Sequence, residues 1–201
     1  MTASLPLSQK QHDADKVNAN LALSSTTKLA QSSNRSVLLY HSPSQPHVYR
    51  PLPSILVDFF ALTLCDLLPT RSARPRTAPE LLYFIQKITS QARISCHIAV
   101  AALIYIDRCK QNLPKNAIGD QDTAHRIAVA SLLVASKFLH GTSWATCWLT
   151  NAQMAKICVI YTLDQINQLE RSFLNLIKHK CWVDAAEIQA FLLKHRQDLL
   201  L

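Results

Sequence analysis

Read for its alternation of apolar and polar positions, the chain divides near residue 50. Residues 1–50 are rich in Ser, Thr, Gln, Asn and Pro, and apart from a short patch, Val37-Leu38-Leu39-Tyr40, they show no sustained periodicity. That composition predicts a disordered N-terminal region. Beyond Pro53-Ser54 the apolar positions fall at helical spacing. Ile55, Phe59, Leu62 and Leu67 predict a first helix over Ile55 to Leu68, stopped by Pro69. An arginine-rich linker, Thr70 to Arg76, follows. Thr77-Ala78-Pro79-Glu80 then supplies an N-cap, a first-turn proline and an acid at the positive end of the helix dipole, and Leu81, Leu82, Ile85 and Ile88 continue as an apolar face.

The next two segments are apolar nearly all round. One runs from about Ser95 to Lys110 and ends at Asn112-Leu113-Pro114. The other, capped by Asp122 or Thr123, runs to about His140-Gly141 and carries Ala128, Ala130, Ser131, Ala135 and Ser136, small residues that let neighbouring helices approach closely. Helices with apolar residues on every side must be enclosed by others. Thr150-Asn151 caps a short helix through Ile157. Thr162-Leu163-Asp164 precedes a long one, Gln165 to about Lys178, with Ile166, Leu169, Phe173 and Leu176 in register. Val183-Asp184 opens a last amphipathic helix, Ala185 to about Leu200. No segment alternates as a strand would. The expected fold class is all-α, a globule of about six or seven helices with short connections.

Composition narrows this further. Two glycines among 201 residues, Gly119 and Gly141, leave no room for a phosphate-cradling loop, a dinucleotide fingerprint or a nucleophile elbow, and they disfavour hairpin-rich folds. The net charge of +8 is spread along the chain: residues 1–79 hold eight Lys/Arg against four Asp, and residues 80–201 hold thirteen against nine acids. A dedicated nucleic-acid surface would be more concentrated, so nucleic acid is not the expected partner. The six cysteines form no C-x-x-C pair and no zinc-like group with His, which suits buried thiols in a reducing compartment; no metal and no cofactor are expected. The longest apolar run, Ile98 to Ile106, is far short of a membrane span of about 20 residues. The expected location is the cytoplasm, the nucleus or both.

Few residues suggest chemistry. Cys96 and His97 are neighbours on a helix and so point to different faces, and no paired-carboxylate or metal-ligand motif occurs, so an enzyme is not expected. Lys137 and Glu170 stand out as charges within apolar helices. Burying either without a partner costs several kcal/mol, so they form a pair or else sit at separate exposed helix edges. Trp144 and Trp148, at the tip of the second apolar helix, are either core anchors or anchors for a partner.

In order, ELLYFIQKI, CHIAVAALIYIDR, TAHRIAVASLLVASKFL, TNAQMAKI and LDQINQLERSFLNLI resemble the cyclin box, and in particular P-type cyclins, the branch typified by the fungal phosphate-response cyclin. The recurring features matched are Tyr105-Ile106-Asp107-Arg108, Thr123-Ala124-His125-Arg126 and Ala135-Ser136-Lys137-Phe138. The resemblance implies five core helices around a buried central one, with a preceding helix, over residues 53–183, and a C-terminal helix over 184–201. It implies a non-catalytic regulatory subunit whose partner is a cyclin-dependent protein kinase. It also implies that Lys137, held by Glu170, contacts carbonyls beside the kinase C-helix, with Phe138, Leu139 and Phe173 as apolar contact or support. One departure is local: where the family often has a Gly-Gly-like step after Asn-x-x-x-Ala-Lys, this chain has Cys158-Val159. Leu81-Leu82-Tyr83-Phe84 does not reproduce the substrate-docking motif of mitotic cyclins. The readings left open are a cyclin-fold transcription adaptor that binds nucleic acid and an α-helical interaction domain with no kinase.

Overall fold

A computed structural model describes residues 49–71, 78–145 and 148–201. The expected disorder of residues 1–50, the Val37–Tyr40 patch and most of the Thr70–Arg76 linker lie outside the described residues. Seven helices occur among those described: α1 (Ser54–Cys65), α2 (Ala78–Gln91), α3 (Cys96–Asn112), α4 (Thr123–Leu139), α5 (Asn151–Cys158), α6 (Leu163–Leu176) and α7 (Ala185–Lys194). The all-α expectation holds, and no strand occurs among the described residues.

Local chemistry sets most boundaries. Ser95 accepts a hydrogen bond from the Ile98 N–H at the start of α3, and Asp184 accepts from the Glu187 N–H at the start of α7. Thr150 and Thr162 each form a reciprocal capping box, with Gln153 and Gln165. α6 therefore begins at Leu163, ahead of the expected Gln165. The predicted C-terminal helix is shorter than expected: α7 stops at Lys194, and residues 195–200 continue as turns. Leu199 is buried all the same. Turns can bury an apolar side chain as well as a helix can, so apolar spacing overran the helix end.

α4 is the hub, packed against α3 and α6 and touched by α1, α2 and α5. Twelve of its seventeen residues are buried, and Ala128 and Ala135 are fully enclosed. Both glycines flank it. At Gly119 a Cβ would stand 3.2 Å from the Thr123 side chain, and the Gly119 N–H donates to the Pro69 carbonyl at 2.8 Å, tying the end of α1 to the start of α4. Gly141, with φ +81°, turns the chain just past the α4 C-cap.

Cys158-Val159 is the other sharp corner. Val159 has φ 63° and ψ −37°, and the Ile160 N–H donates to the Cys158 carbonyl at 2.7 Å, the three-residue γ-turn that is rare and strained for a residue with a side chain. Val159→Gly should relieve that strain, because its exposed side chain gives up little packing. The expected gain is about 1 kcal/mol or more, seen as a raised midpoint in urea unfolding; an unchanged or lowered midpoint would contradict the strain argument.

Burial also predicts alkaline lability. It pushes the thiols of Cys109 and Cys158 up from an ordinary 9.0 to about 12, and the Tyr161 hydroxyl up from 10.0 to about 12. In the unfolded chain these groups lose their protons near their ordinary values. The stability they contribute is therefore complete below about pH 9 and is lost as pH rises toward 12. The thermal midpoint should fall steadily above pH 9, and a Cys109→Ala, Cys158→Ala, Tyr161→Phe triple variant should flatten that slope.

Candidate functional site

The α4 helix ends in Lys137-Phe138-Leu139, with Lys137 in the last turn, where unpaired carbonyls favour a cation. Its Nζ donates to Glu170 Oε1 at 2.6 Å. Glu170 stands midway along α6, and its other oxygen accepts from Asn151 Nδ2 at 2.7 Å; the same amide donates to Asn167 Oδ1 at 2.7 Å. Asn151 is the first residue of α5, placed by the Thr150–Gln153 capping box. Three helices thus converge on one carboxylate.

The pair is unequally covered. The Lys137 side chain is 33% exposed and that of Glu170 only 16%. A covered carboxylate is tolerated because both oxygens receive donors, one of them charged. An ammonium has three donors and no acceptor, so with one N–H committed to Glu170 the exposed head can still offer donors to a carbonyl from outside.

The remaining sequence candidates separate into surface and support. Leu139 and Phe173 are buried, so they brace the end of α4 from inside and present no contact surface. Phe138 is half-buried and meets the Trp182 ring edge-on, with centroids 6.3 Å apart, while Trp182 itself is 73% exposed. Trp144 is half-buried against the core and stacks on His97 at 5.3 Å, its carbonyl accepting from Ser95 Oγ at 2.7 Å. Trp148 is exposed, edge-on to His140 at 4.1 Å.

Tyr105 and Arg108 account for the position of Trp182. The Tyr105 hydroxyl donates to the Cys181 carbonyl at 2.6 Å; burial raises its pKa well above the ordinary tyrosine value and keeps it a donor. Arg108 donates to the carbonyls of Lys180 at 2.5 Å and Trp182 at 2.8 Å and pairs with Glu187 on α7 at 2.5 Å. The Tyr-Ile-Asp-Arg end of α3 is thus a clamp on the 180–182 segment. In the Thr-Ala-His-Arg opening of α4, Thr123 Oγ1 accepts from the Asp120 N–H at 2.8 Å, the His125 ring meets Phe84 at 4.6 Å, and Arg126 pairs with Asp122 at 2.7 Å.

Sequence reasoning missed two members of this surface. Asn151 reads as a cap residue, and Trp182 as a link before α7. The signals that could have found them are the Asn-x-x-x-Ala-Lys motif and a Trp outside any apolar register. Among the described residues no group of His, Cys, Asp and Glu is placed to hold a metal ion, and no helix is long and apolar enough to cross a membrane.

The sequence profile of the family described as Cyclin matches residues 7–181. PHO85 cyclin-9 of Saccharomyces cerevisiae is 25% identical over 136 residues, covering 64% of this chain and 42% of that protein. PHO85 cyclin-1 of the same yeast is 29% identical over 126 residues, covering 60% of this chain and 43% of that protein. The chain therefore spans less than half the length of these two curated relatives. A profile match over most of the sequence, two relatives that are themselves cyclins and an all-helical body built around α4 lead to one assignment: the chain belongs to the cyclin family, as a P-type cyclin-box protein.

Proposed function

We propose that this chain is a non-catalytic regulatory subunit that binds a cyclin-dependent protein kinase and activates it by seating the kinase C-helix. The observation that carries the reading is the Lys137–Glu170–Asn151 cluster, a lysine fixed by a covered carboxylate yet open to solvent. Lys137 donates to carbonyls at the end of a partner helix, where partial negative charge collects. Phe138, next in the chain, and the exposed Trp182 that its ring meets supply aromatic surface at this end of α4, the residue types that anchor interfaces. Holding the kinase C-helix inward completes the kinase's own Lys–Glu ion pair. The active population then rises by as much as the seat prefers that conformation over the inactive one.

Two relatives named for PHO85 agree with a partner of this kind. The test is affinity capture on the full chain, identification of any kinase recovered, and its peptide-kinase activity with and without the chain. Recovery of a cyclin-dependent kinase whose activity the chain stimulates is the expected result. Capture of no kinase, or of one the chain leaves inert, would overturn the proposal.

A further inference from the structure

A second surface lies on other elements. α1 and α7 both pack on α3, but their Cα atoms do not come within 8 Å of each other. Between them runs a slot of about 490 Å³, floored by Leu103 and Ile106 of α3 and walled by Ile55 and Leu62 of α1. One part is closed by three rings: Phe59 lies 6.4 Å from Phe191 and 5.0 Å from His195, and Phe191 lies 4.6 Å from His195. Leu62 is 54% exposed, so the apolar lining reaches solvent.

The charge around this slot runs against that of the chain. Asp58, Asp66, Asp107 and Asp198 line it, with Lys110 and Lys194, so carboxylates outnumber ammonium groups although the whole sequence carries +8. Two of the carboxylates have local partners, Asp107 with Gln111 at 3.1 Å and Asp198 with His195 at 3.3 Å. Asp58 and Asp66 stand about two turns apart, at the spacing at which an opposing helix presents its own residues.

We propose that the slot between α1 and α7 is a docking site for a basic amphipathic helix of a partner protein. Large apolar side chains of that helix enter the open part of the slot over Leu103 and Ile106, beside the Phe59–Phe191–His195 ring cluster, and its Lys or Arg residues face Asp58 and Asp66. This is the helix-in-groove mode, with apolar anchors supplying affinity and the acidic rim supplying selection. No residue of the slot belongs to the Lys137–Glu170 cluster, so the proposal stands apart from the kinase reading.

The global charge makes the test discriminating. A protein at +8 attracts acidic peptides non-specifically, so a preference for a basic one has to arise locally. The probes are a fluorescein-labelled Leu/Lys amphipathic peptide and its Leu/Glu counterpart, titrated with the full chain and followed by anisotropy. The Leu/Lys peptide should bind roughly tenfold more tightly or better. Asp58→Lys with Asp66→Lys should abolish that preference, while Glu80→Lys with Asp164→Lys, the same charge change on α2 and α6, should keep it. Thermal melts of both double variants identify any loss that comes from unfolding; in that case Asp58→Asn with Asp66→Asn must weaken the Leu/Lys peptide in its place. Equal binding of the two peptides, or equal losses in folded slot and control variants, would overturn the proposal. So would a concentration-dependent dimer that the slot variants dissociate, since the occupant would then be a second copy of this chain.

Discussion

Lys137→Ala is expected to weaken kinase binding by about 2–5 kcal/mol, roughly 30-fold or more in Kd, and to remove kinase activation at concentrations where the wild-type chain saturates it. In the free chain, loss of the lysine leaves the covered Glu170 carboxylate with the Asn151 amide as its remaining donor among the described residues, so it should cost the fold about 1–3 kcal/mol, which thermal melts separate from the loss of binding. In a complex the same ammonium would be desolvated, and its removal would leave both Glu170 and the partner's carbonyls without their donor. Glu170→Ala should reach a similar loss by another route: the lysine stays but has no carboxylate to orient it, and Asn151 loses its acceptor. Because both variants disturb one unit, the double variant should bind little worse than either single one. Titration calorimetry with the purified kinase, alongside thermal melts, reads both effects. Unchanged binding and activation by the two folded single variants would remove Lys137 and Glu170 from the interface.

The largest effect on the fold itself is expected at Arg108, which lies on neither proposed surface. Arg108→Ala removes two hydrogen bonds to main-chain carbonyls and the ion pair with Glu187, from a side chain that is only 16% exposed. Charged hydrogen bonds of this kind contribute about 1.5–3 kcal/mol each at best, and Glu187 remains partly solvated, so a total of about 2–4 kcal/mol is expected. For a chain of this size that lowers the thermal midpoint by about 4–16 °C. Arg108→Lys should recover little of it, since a point-like ammonium cannot fork to three acceptors. Tyr105→Phe should cost less, about 1 kcal/mol for its single bond to the Cys181 carbonyl. Kinase binding should weaken in Arg108→Ala even below its melting point, because Trp182 no longer has its main chain held beside Phe138. If Arg108→Ala melts like the wild type, the clamp does not carry the 180–182 segment.

How much of this was legible in the sequence follows from the range of the interactions involved. α3 and α4 could be read because being apolar on every side is a local property with one helical solution, and the starts of α3, α5, α6 and α7 because Ser95, Thr150, Thr162 and Asp184 act over three residues. The end of α7 could not be read, since Leu199 is buried by turns that the apolar pattern does not distinguish from helix. Lys137 and Glu170 could be singled out, but whether they meet depends on how α4 crosses α6, which no local pattern states. Trp182 acquires significance only once Arg108, 74 residues earlier, holds its carbonyl. Val159 is the converse case: the residue type argues against a left-handed corner, and the junction between α5 and α6 imposes one regardless.

The small residues along α4 bear on how any partner must be accommodated. Ala128, Ala135 and Ser136 let neighbouring helices approach α4 closely, and the larger Leu132, Leu133 and Leu139 are fully buried among them, so little free space remains into which the helix could yield. Lys137 stands in the last turn of this helix, which is packed against both α3 and α6. A surface mounted on so tightly packed an axle is expected to act as a mould, with little binding energy spent on its own reshaping when a partner is pressed against it.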